Sequence, residues 1–396
     1  MADNALYHAL VLSLHQPAGN LDHLLICNKP EAKEILFTID RIPRALWEYQ
    51  DVGRVHLALS GTLLETLSNQ DFQNRANGIV DCAALLWHLR NTQIIDILGT
   101  GYYHPVFPLI PSADWDAQRD RCRGIAHRWS VNSDLQGFWP PEMGFCMEMI
   151  PLLRRCGYRF VLEDSEHLQP VTLMRWDEVR YRPHIARFGG EEIIVIVRDR
   201  DLSNAQESGM DLKWFTREVR ERTQFCDFPA LVTTCSDGEN GGWFRNAAPG
   251  SNFWDAFYKP LLGQARTNEN AIQSTFIHDY LNRFGAHGEV TVGPGAWNTG
   301  WHDGRNFVQW SGTSAQKDAL IRLDEISQAV QAALGNAASI GSQNQELSNF
   351  LEEAHWRVLR AETSCNFFWG DAWVMRCHAD LDRACECLER ANACFL

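Results

Sequence analysis

Six clusters of residues able to do chemistry each follow a short apolar run. His15-Gln16-Pro17 comes after ALVLSL, and Tyr102-Tyr103-His104-Pro105 after IIDIL and a Gly-Thr-Gly turn. Pro140-Pro141-Glu142 follows GFW, Glu163-Asp164 follows RFVL, and Arg198-Asp199-Arg200-Asp201 follows IIVIV. Ser236-Asp237-Gly238-Glu239-Asn240-Gly241-Gly242-Trp243 follows LVTTC. These clusters supply the carboxylates Glu142, Glu163, Asp164, Asp199, Asp201, Asp237 and Glu239; the imidazoles are His15, His104 and, further along, His302. HExxH, an EF-hand loop and GxSxG are absent, and GENGG lacks the Lys-Ser/Thr of a phosphate loop. What remains is a pair of carboxylates flanked by aromatics, which suits cleavage of a glycosidic bond. One carboxylate attacks or stabilises an oxocarbenium-like centre, and the other protonates the leaving oxygen. Each residue also has a plainer reading. Glu142 can be a solvated loop carboxylate, Asp237 a turn aspartate and His15 a satisfied strand-end histidine. Arg198, Arg200 and Asp201 suit an ion-pair network.

The apolar runs are the elements that must position these groups. Strands are expected at Ala9–Leu14, Val55–Ser60, Ile94–Leu98, Gly137–Trp139, Arg159–Leu162, Ile193–Val197 and Leu231–Cys235. Apolar character on both faces suits parallel strands covered by helices. Helical patterns intervene at Glu31–Tyr49, Leu63–Leu67, Ala83–Arg90, Met147–Cys156 and Asp211–Thr223. That alternation argues βαβ units, and in a parallel barrel the C-terminal strand ends share one face. After residue 311 the texture changes. Ala319, Leu323, Ile326, Val330 and Ala333 make one amphipathic stripe, Leu347, Phe350, Leu351, Ala354 and Val358 a second, and Cys377, Leu381, Ala384, Leu388 and Ala391 a third. The connector GNAASIGSQNQE separates the first two. The expected fold is an α/β barrel over residues 1–311 followed by a helical bundle over 312–396, packed on the barrel and contributing to the cleft.

Composition sets the limits. The 396 residues carry a formal net charge of −14 and 45% hydrophobic residues, so the chain can bury a large core, and nucleic acid or an anionic membrane is not an expected partner. No window reads as a membrane span. The 12 cysteines include no CxxC, and the N-terminus has no basic stretch or small-residue cleavage site. A cytoplasmic location with reduced thiols is therefore expected. Fifteen Trp point to cores or to aromatic binding surfaces, with core packing the plainer reading for any one of them. Aromatic faces that stack on sugar C–H surfaces would give some of them a use.

The motifs resemble those of glycoside hydrolase family 57, the α-amylase, 4-α-glucanotransferase and branching enzyme family, in family order from residue 9 to about 376. His15-Gln16-Pro17 is similar to its first motif and Gly99-Thr100-Gly101-Tyr102-Tyr103-His104-Pro105 to its second. Trp139-Pro140-Pro141-Glu142-Met143 resembles the third, which implies Glu142 as nucleophile. Ser236-Asp237-Gly238-Glu239 resembles the fourth, which implies Asp237 as general acid/base. Glu362-Thr363-Ser364-Cys365-Asn366-Phe367-Phe368-Trp369-Gly370 resembles the fifth. Two positions depart. Ser13 stands where many members have a second histidine, and Cys365 where the fifth motif often has an aspartate.

The resemblance implies a seven-stranded (β/α) barrel with a C-terminal helical bundle, and a retaining reaction on α-linked glucan, hydrolase or transglycosylase, needing no metal or other cofactor. Retention asks for the two carboxyls about 5–5.5 Å apart. His15, Gln16, His104, Trp139, Asp164, Arg200, Trp243, Trp301 and Trp369 are expected to bind substrate, with most other Trp in the core. Two rivals stand beside this reading: a carbohydrate-binding homologue without catalysis, and a metal-dependent hydrolase on a related barrel. Oligomeric state is left open.

Overall fold

Seven buried strands run parallel: β1 Leu6–Leu14, β2 Val55–Leu59, β3 Ile95–Leu98, β4 Gly137–Phe138, β5 Phe160–Asp164, β6 Glu191–Arg198 and β7 Ala230–Asp237. The computed structural model describes residues 5–129, 135–268, 271–299, 307–339, 341 and 344–394. Trp301 and His302 lie outside the described residues. Every strand read from the sequence is present within a few residues of its expected ends. The sheet order is β3-β2-β1-β7-β6-β5-β4. An isolated parallel bridge between Gly99 and Phe138 joins its two outer strands, so the strands form a nearly closed barrel. The seam between β6 and β7 is also thin, pairing at Arg198 and Thr233. A further strand, His184–Phe188, pairs antiparallel with β6, and Gln273–Ser274 adds to β1. Both are too short or too polar to register as apolar runs.

The chain divides into two compact units. The first, Met1–Thr100, Arg123–Trp139 and Cys146–Gly293, holds the barrel and its covering helices. Lys29–Leu46 shows why those helices form where they do. Asn28 caps its first turn, Pro30 starts it, and Ala32, Ile35, Leu36, Ile39 and Ile42 bury one stripe. Each fully buried Leu or Ile contributes roughly 1.5–3 kcal/mol.

The second unit gathers Gly101–Cys122, Pro140–Phe145 and Pro294–Leu396. This differs from a single cut after residue 311, because the loops following β3 and β4 pair with the later chain. Pro105 bridges Thr363, and Phe145 bridges Gly295. Its long helices are Ser314–Ser339, Gln345–Ala361 and Asp371–Ala393. Ala319, Leu323, Ile326, Val330 and Ala333 line the buried stripe of the first, as the spacing predicts. That helix extends into the expected connector, through Gly335 to Ser339, and Asn344 caps the next. Among the described residues no helix is long and apolar enough to cross a membrane.

The Trp surplus is divided differently from the expectation. Trp139, Trp254 and Trp310 are fully buried, whereas Trp47, Trp87 and Trp176, from the group most of which was expected in the core, are about half exposed. Trp47 and Trp176 sit at helix ends, and Trp87 lies within the helix Cys82–Asn91, off the buried stripe of Cys82, Leu85, Leu86 and Leu89.

Candidate active site

In the first unit the polar clusters stand at the C-terminal ends of parallel strands. Asp237 ends β7, and its carboxylate holds its own turn: Oδ1 accepts from the N–H of Glu239 and of Asn240 at 3.3 Å each, and Oδ2 from Asn240 Nδ2 at 3.0 Å. Glu239 is wholly buried, and its Oε1 accepts from the backbone N–H of His15 at 2.7 Å. Glu207, on the helix Arg200–Ser208, accepts from the backbone N–H of Asp237 at 3.3 Å. Burial pushes the Glu239 carboxyl well above the ordinary range, and the neighbouring Asp237 charge adds to it. Glu207 is raised too, by burial first; the Arg198 guanidinium opposes this and Asp237 reinforces it. Three carboxyls therefore meet at the end of β7, and two of them hold protons beyond the usual carboxylate pH. His15 Nδ1 lies 2.9 Å from Ser60 Oγ, and Gln16 Oε1 accepts from Asn20 Nδ2 at 2.9 Å.

Asp164 and Arg198 pair in register on β5 and β6 and are joined at 2.8 Å; Arg200 Nε donates to Asp164 at 2.9 and 3.0 Å. Burial alone would raise the Asp164 carboxyl, but the two guanidiniums outweigh it and hold it below the usual range. This is the ion-pair reading of the cluster. Asp164, expected to touch substrate, has no exposed surface, and Arg200 has little. Trp139 is likewise fully buried, so it presents no face for a sugar to stack on. Trp243 is half-buried, its Nε1 donating to the Ser251 carbonyl at 3.0 Å.

Glu142 belongs to the second unit. Its backbone lies in the left-handed region (φ 57°, ψ 14°), and His104, Met143 and Asn298 share that conformation. For residues with a Cβ this costs on the order of 1–3 kcal/mol each, and such residues concentrate at functional sites. The carboxylate has a donor on each oxygen. Ser364 Oγ donates to Oε1 at 2.7 Å and Trp297 Nε1 to Oε2 at 2.9 Å. Trp297 also donates its backbone N–H to the Glu142 carbonyl at 2.9 Å. His104 Nδ1 lies 3.6 Å from Oε1 and 3.3 Å from Ser364 Oγ. Burial pushes the His104 imidazole down to about 3, so it is neutral at physiological pH. Hydrogen bonds of this kind favour the ionised carboxylate, the form a nucleophile requires. Trp369 is more than half exposed, edge-on to Phe368.

The carboxylates and imidazoles at strand ends are legible as polar residues that interrupt apolar runs. Trp297, Glu207 and Gln118 are not, because nothing in their local spacing marks them. Ser364 lies inside the fifth quoted motif but carries no signal of its own. Glu142, which both residues hold, is 222 residues from Ser364 in sequence and 155 from Trp297.

Comparison with known proteins adds the family. The 4-alpha-glucanotransferase of Thermococcus litoralis is 27% identical over 240 residues, covering 60% of this chain and 34% of that protein. The alpha-amylase of Pyrococcus horikoshii is 26% identical over 189 residues, covering 48% of this chain and 27% of that protein. The matched stretch thus spans about a third or less of these relatives' length. In fold, the chain is similar to a GH57-type branching enzyme from Pyrococcus horikoshii, with a TM-score of 0.72 and 12% identity over 98% of this chain and 94% of that one. The model of the family described as "Glycosyl hydrolase family 57" matches residues 30–293, more than half of the chain, and the chain belongs to that family.

Proposed function

We propose that this chain is a retaining glycosidase or transglycosylase acting on α-linked glucans, with Glu142 as nucleophile and Asp237 as general acid/base. The observation that carries the reading is Glu142 itself: a glutamate on left-handed backbone, with Ser364 donating to one carboxylate oxygen and Trp297 to the other. A carboxylate oriented and kept ionised in this way is equipped to attack an anomeric carbon. Family membership and the glucan-active names of its relatives support the substrate class.

In the proposed reaction the Glu142 carboxylate forms a bond to the anomeric carbon as the glycosidic bond breaks, and Asp237 gives its proton to the departing oxygen. Asp237, now ionised, then takes a proton from water or an acceptor hydroxyl. That oxygen displaces Glu142, and two inversions restore the starting configuration.

Incubation with maltooligosaccharides, with products resolved by length and anomer, tests the proposal. Wild type is expected to shorten or redistribute the chains with the α-anomer formed first. Asp237→Asn should lower turnover roughly 10²–10⁴-fold and Glu142→Gln at least as much, both with unchanged circular dichroism. Near wild-type turnover in either variant would overturn the assignment. Glucan affinity without any product would make the chain a binding homologue, the reading that Ser13 and Cys365 would favour.

A further inference from the structure

We propose that Ser364 is a positioning residue for Glu142, fixing the plane of its carboxylate through the hydroxyl hydrogen bond to Oε1. The inference rests on Glu142 being the nucleophile. Ser364 is fully buried, and its hydroxyl lies between two groups, His104 Nδ1 at 3.3 Å and Glu142 Oε1 at 2.7 Å. A neutral imidazole with its proton on Nδ1, the tautomer this network requires, donates to Ser364 Oγ. The hydroxyl proton is then committed to Glu142. With Trp297 on Oε2, each carboxylate oxygen accepts from a donor among the described residues, and the carboxylate cannot rotate without disturbing both bonds. The bond to Oε1 is charge-assisted while Glu142 is an anion, and it weakens once the ester forms.

Behind the hydroxyl stands a buried polar brace. The Ser364 N–H donates to the His104 carbonyl at 3.1 Å, and Thr363 bridges Pro105. Gln118, also fully buried, ties the same two segments together. Its Nε2 donates to Glu362 Oε2 at 2.6 Å and to the Leu359 carbonyl at 2.8 Å, while its Oε1 accepts from the Tyr103 N–H at 3.0 Å. Its backbone carbonyl accepts from the Tyr102 N–H at 3.1 Å. Burial first, and Asp114 second, push the Glu362 carboxyl well above its ordinary range, so the brace does not bury a second full charge there. Ser364 is thereby held from both flanks, and a change in its side chain is felt at Glu142 rather than absorbed by the loop.

The test compares Ser364→Ala, Ser364→Thr and Ser364→Cys with wild type and Glu142→Gln on an aryl α-maltooligoside. Loss of a hydrogen bond to a charged group predicts that Ser364→Ala lowers kcat about 10- to 100-fold with KM within about twofold. The acid limb of the kcat/KM profile should move to higher pH, because Glu142 loses a donor to its anion. Ser364→Thr, which keeps the hydroxyl, should recover most of the rate. Ser364→Cys keeps the volume with a weak donor and should lose at least about fivefold, and it reads the same quantity should the alanine variant fail to fold. An inactive Glu142→Gln beside a Ser364→Ala variant with unchanged kcat and acid limb would overturn the positioning role alone. Equal losses in the Ala and Thr variants would do the same, by showing that volume and not the hydroxyl matters. An active Glu142→Gln would instead remove the nucleophile reading on which the inference stands.

Discussion

Adjacent carboxyls on β5 show how strongly environment, rather than residue type, sets a group's role. Asp164 is paired with Arg198 and Arg200, whereas both oxygens of Glu163 are buried without a hydrogen-bond partner among the described residues. Burial, and then the Asp164 charge, push the Glu163 carboxyl well above its ordinary range. A carboxyl raised in the folded state contributes stability that is fully present below its unfolded value near 4.5 and is lost as pH rises toward the folded one. Glu163→Gln removes that titration. Its thermal midpoint should therefore match wild type near pH 4.5 and exceed it increasingly above, with a difference growing by at most about 1.4 kcal/mol per pH unit. Melting curves from pH 4.5 to 8 check this, and a constant offset would contradict it. Glu163 was legible as a strand-end carboxylate like its neighbours, yet the same pattern describes Asp164 in an ion pair and Asp237 in its own turn. Composition at a strand end finds polar groups, but the partners that assign them work lie far away in sequence, as Ser364 does from Glu142.

Closure of the barrel depends on two glycines that the apolar pattern does not single out. Gly99 N–H donates to the Gly137 carbonyl at 2.9 Å, and Trp139 N–H to the Gly99 carbonyl at 2.8 Å. A Cβ on Gly99 would collide with the Tyr158 ring and hydroxyl, and one on Gly137 with the Phe160 ring. Backbone can approach backbone here only because neither residue has a side chain. Gly99→Ala should therefore cost about 1–3 kcal/mol as overpacking, read as a midpoint a few degrees lower. Gly99→Ala combined with Tyr158→Phe should recover part of the loss, since the hydroxyl is among the atoms met first. The seven strands were readable because parallel strands buried on both faces must be continuous apolar runs, as VHLAL and IIVIV are. The helical stripes were readable from their period. Boundaries followed less well: Gly335 has open space around it, so the helix through Ser339 bears the roughly 1 kcal/mol cost of a helical glycine instead of ending there. The division into units was least legible, because the loops after β3 and β4 join the later helices through bridges such as Pro105 to Thr363, which local sequence does not encode.

Across the whole chain, two sets of buried groups pull stability in opposite pH directions. His8, His56, His104 and His184 are all lowered, with burial the leading cause for each; His8 and His104 reach about 3. Below 6.5 the unfolded chain takes up protons that these folded imidazoles refuse, so stability falls as pH drops from that value toward about 3. His278 runs the other way, raised chiefly by its hydrogen bond to Asp96, and offsets part of this loss. Glu163, Glu239 and Glu362 are raised chiefly by burial, and there the folded state keeps protons that the unfolded chain releases above 4.5. Their contribution declines as pH rises. The formal charge of −14 at pH 7 acts in the same sense, since self-repulsion of the compact state eases as carboxylates neutralise. Histidines thus penalise the acid side and glutamates the neutral side. The stability maximum is expected between the two unfolded reference values, 4.5 and 6.5, rather than at neutral pH. Calorimetry from pH 4 to 8 at fixed ionic strength measures it directly. A midpoint that climbs steadily to pH 8 would mean that the three glutamates are not holding protons in the folded chain, whereas Glu163→Gln should flatten the neutral side of the curve and leave the acid side in place.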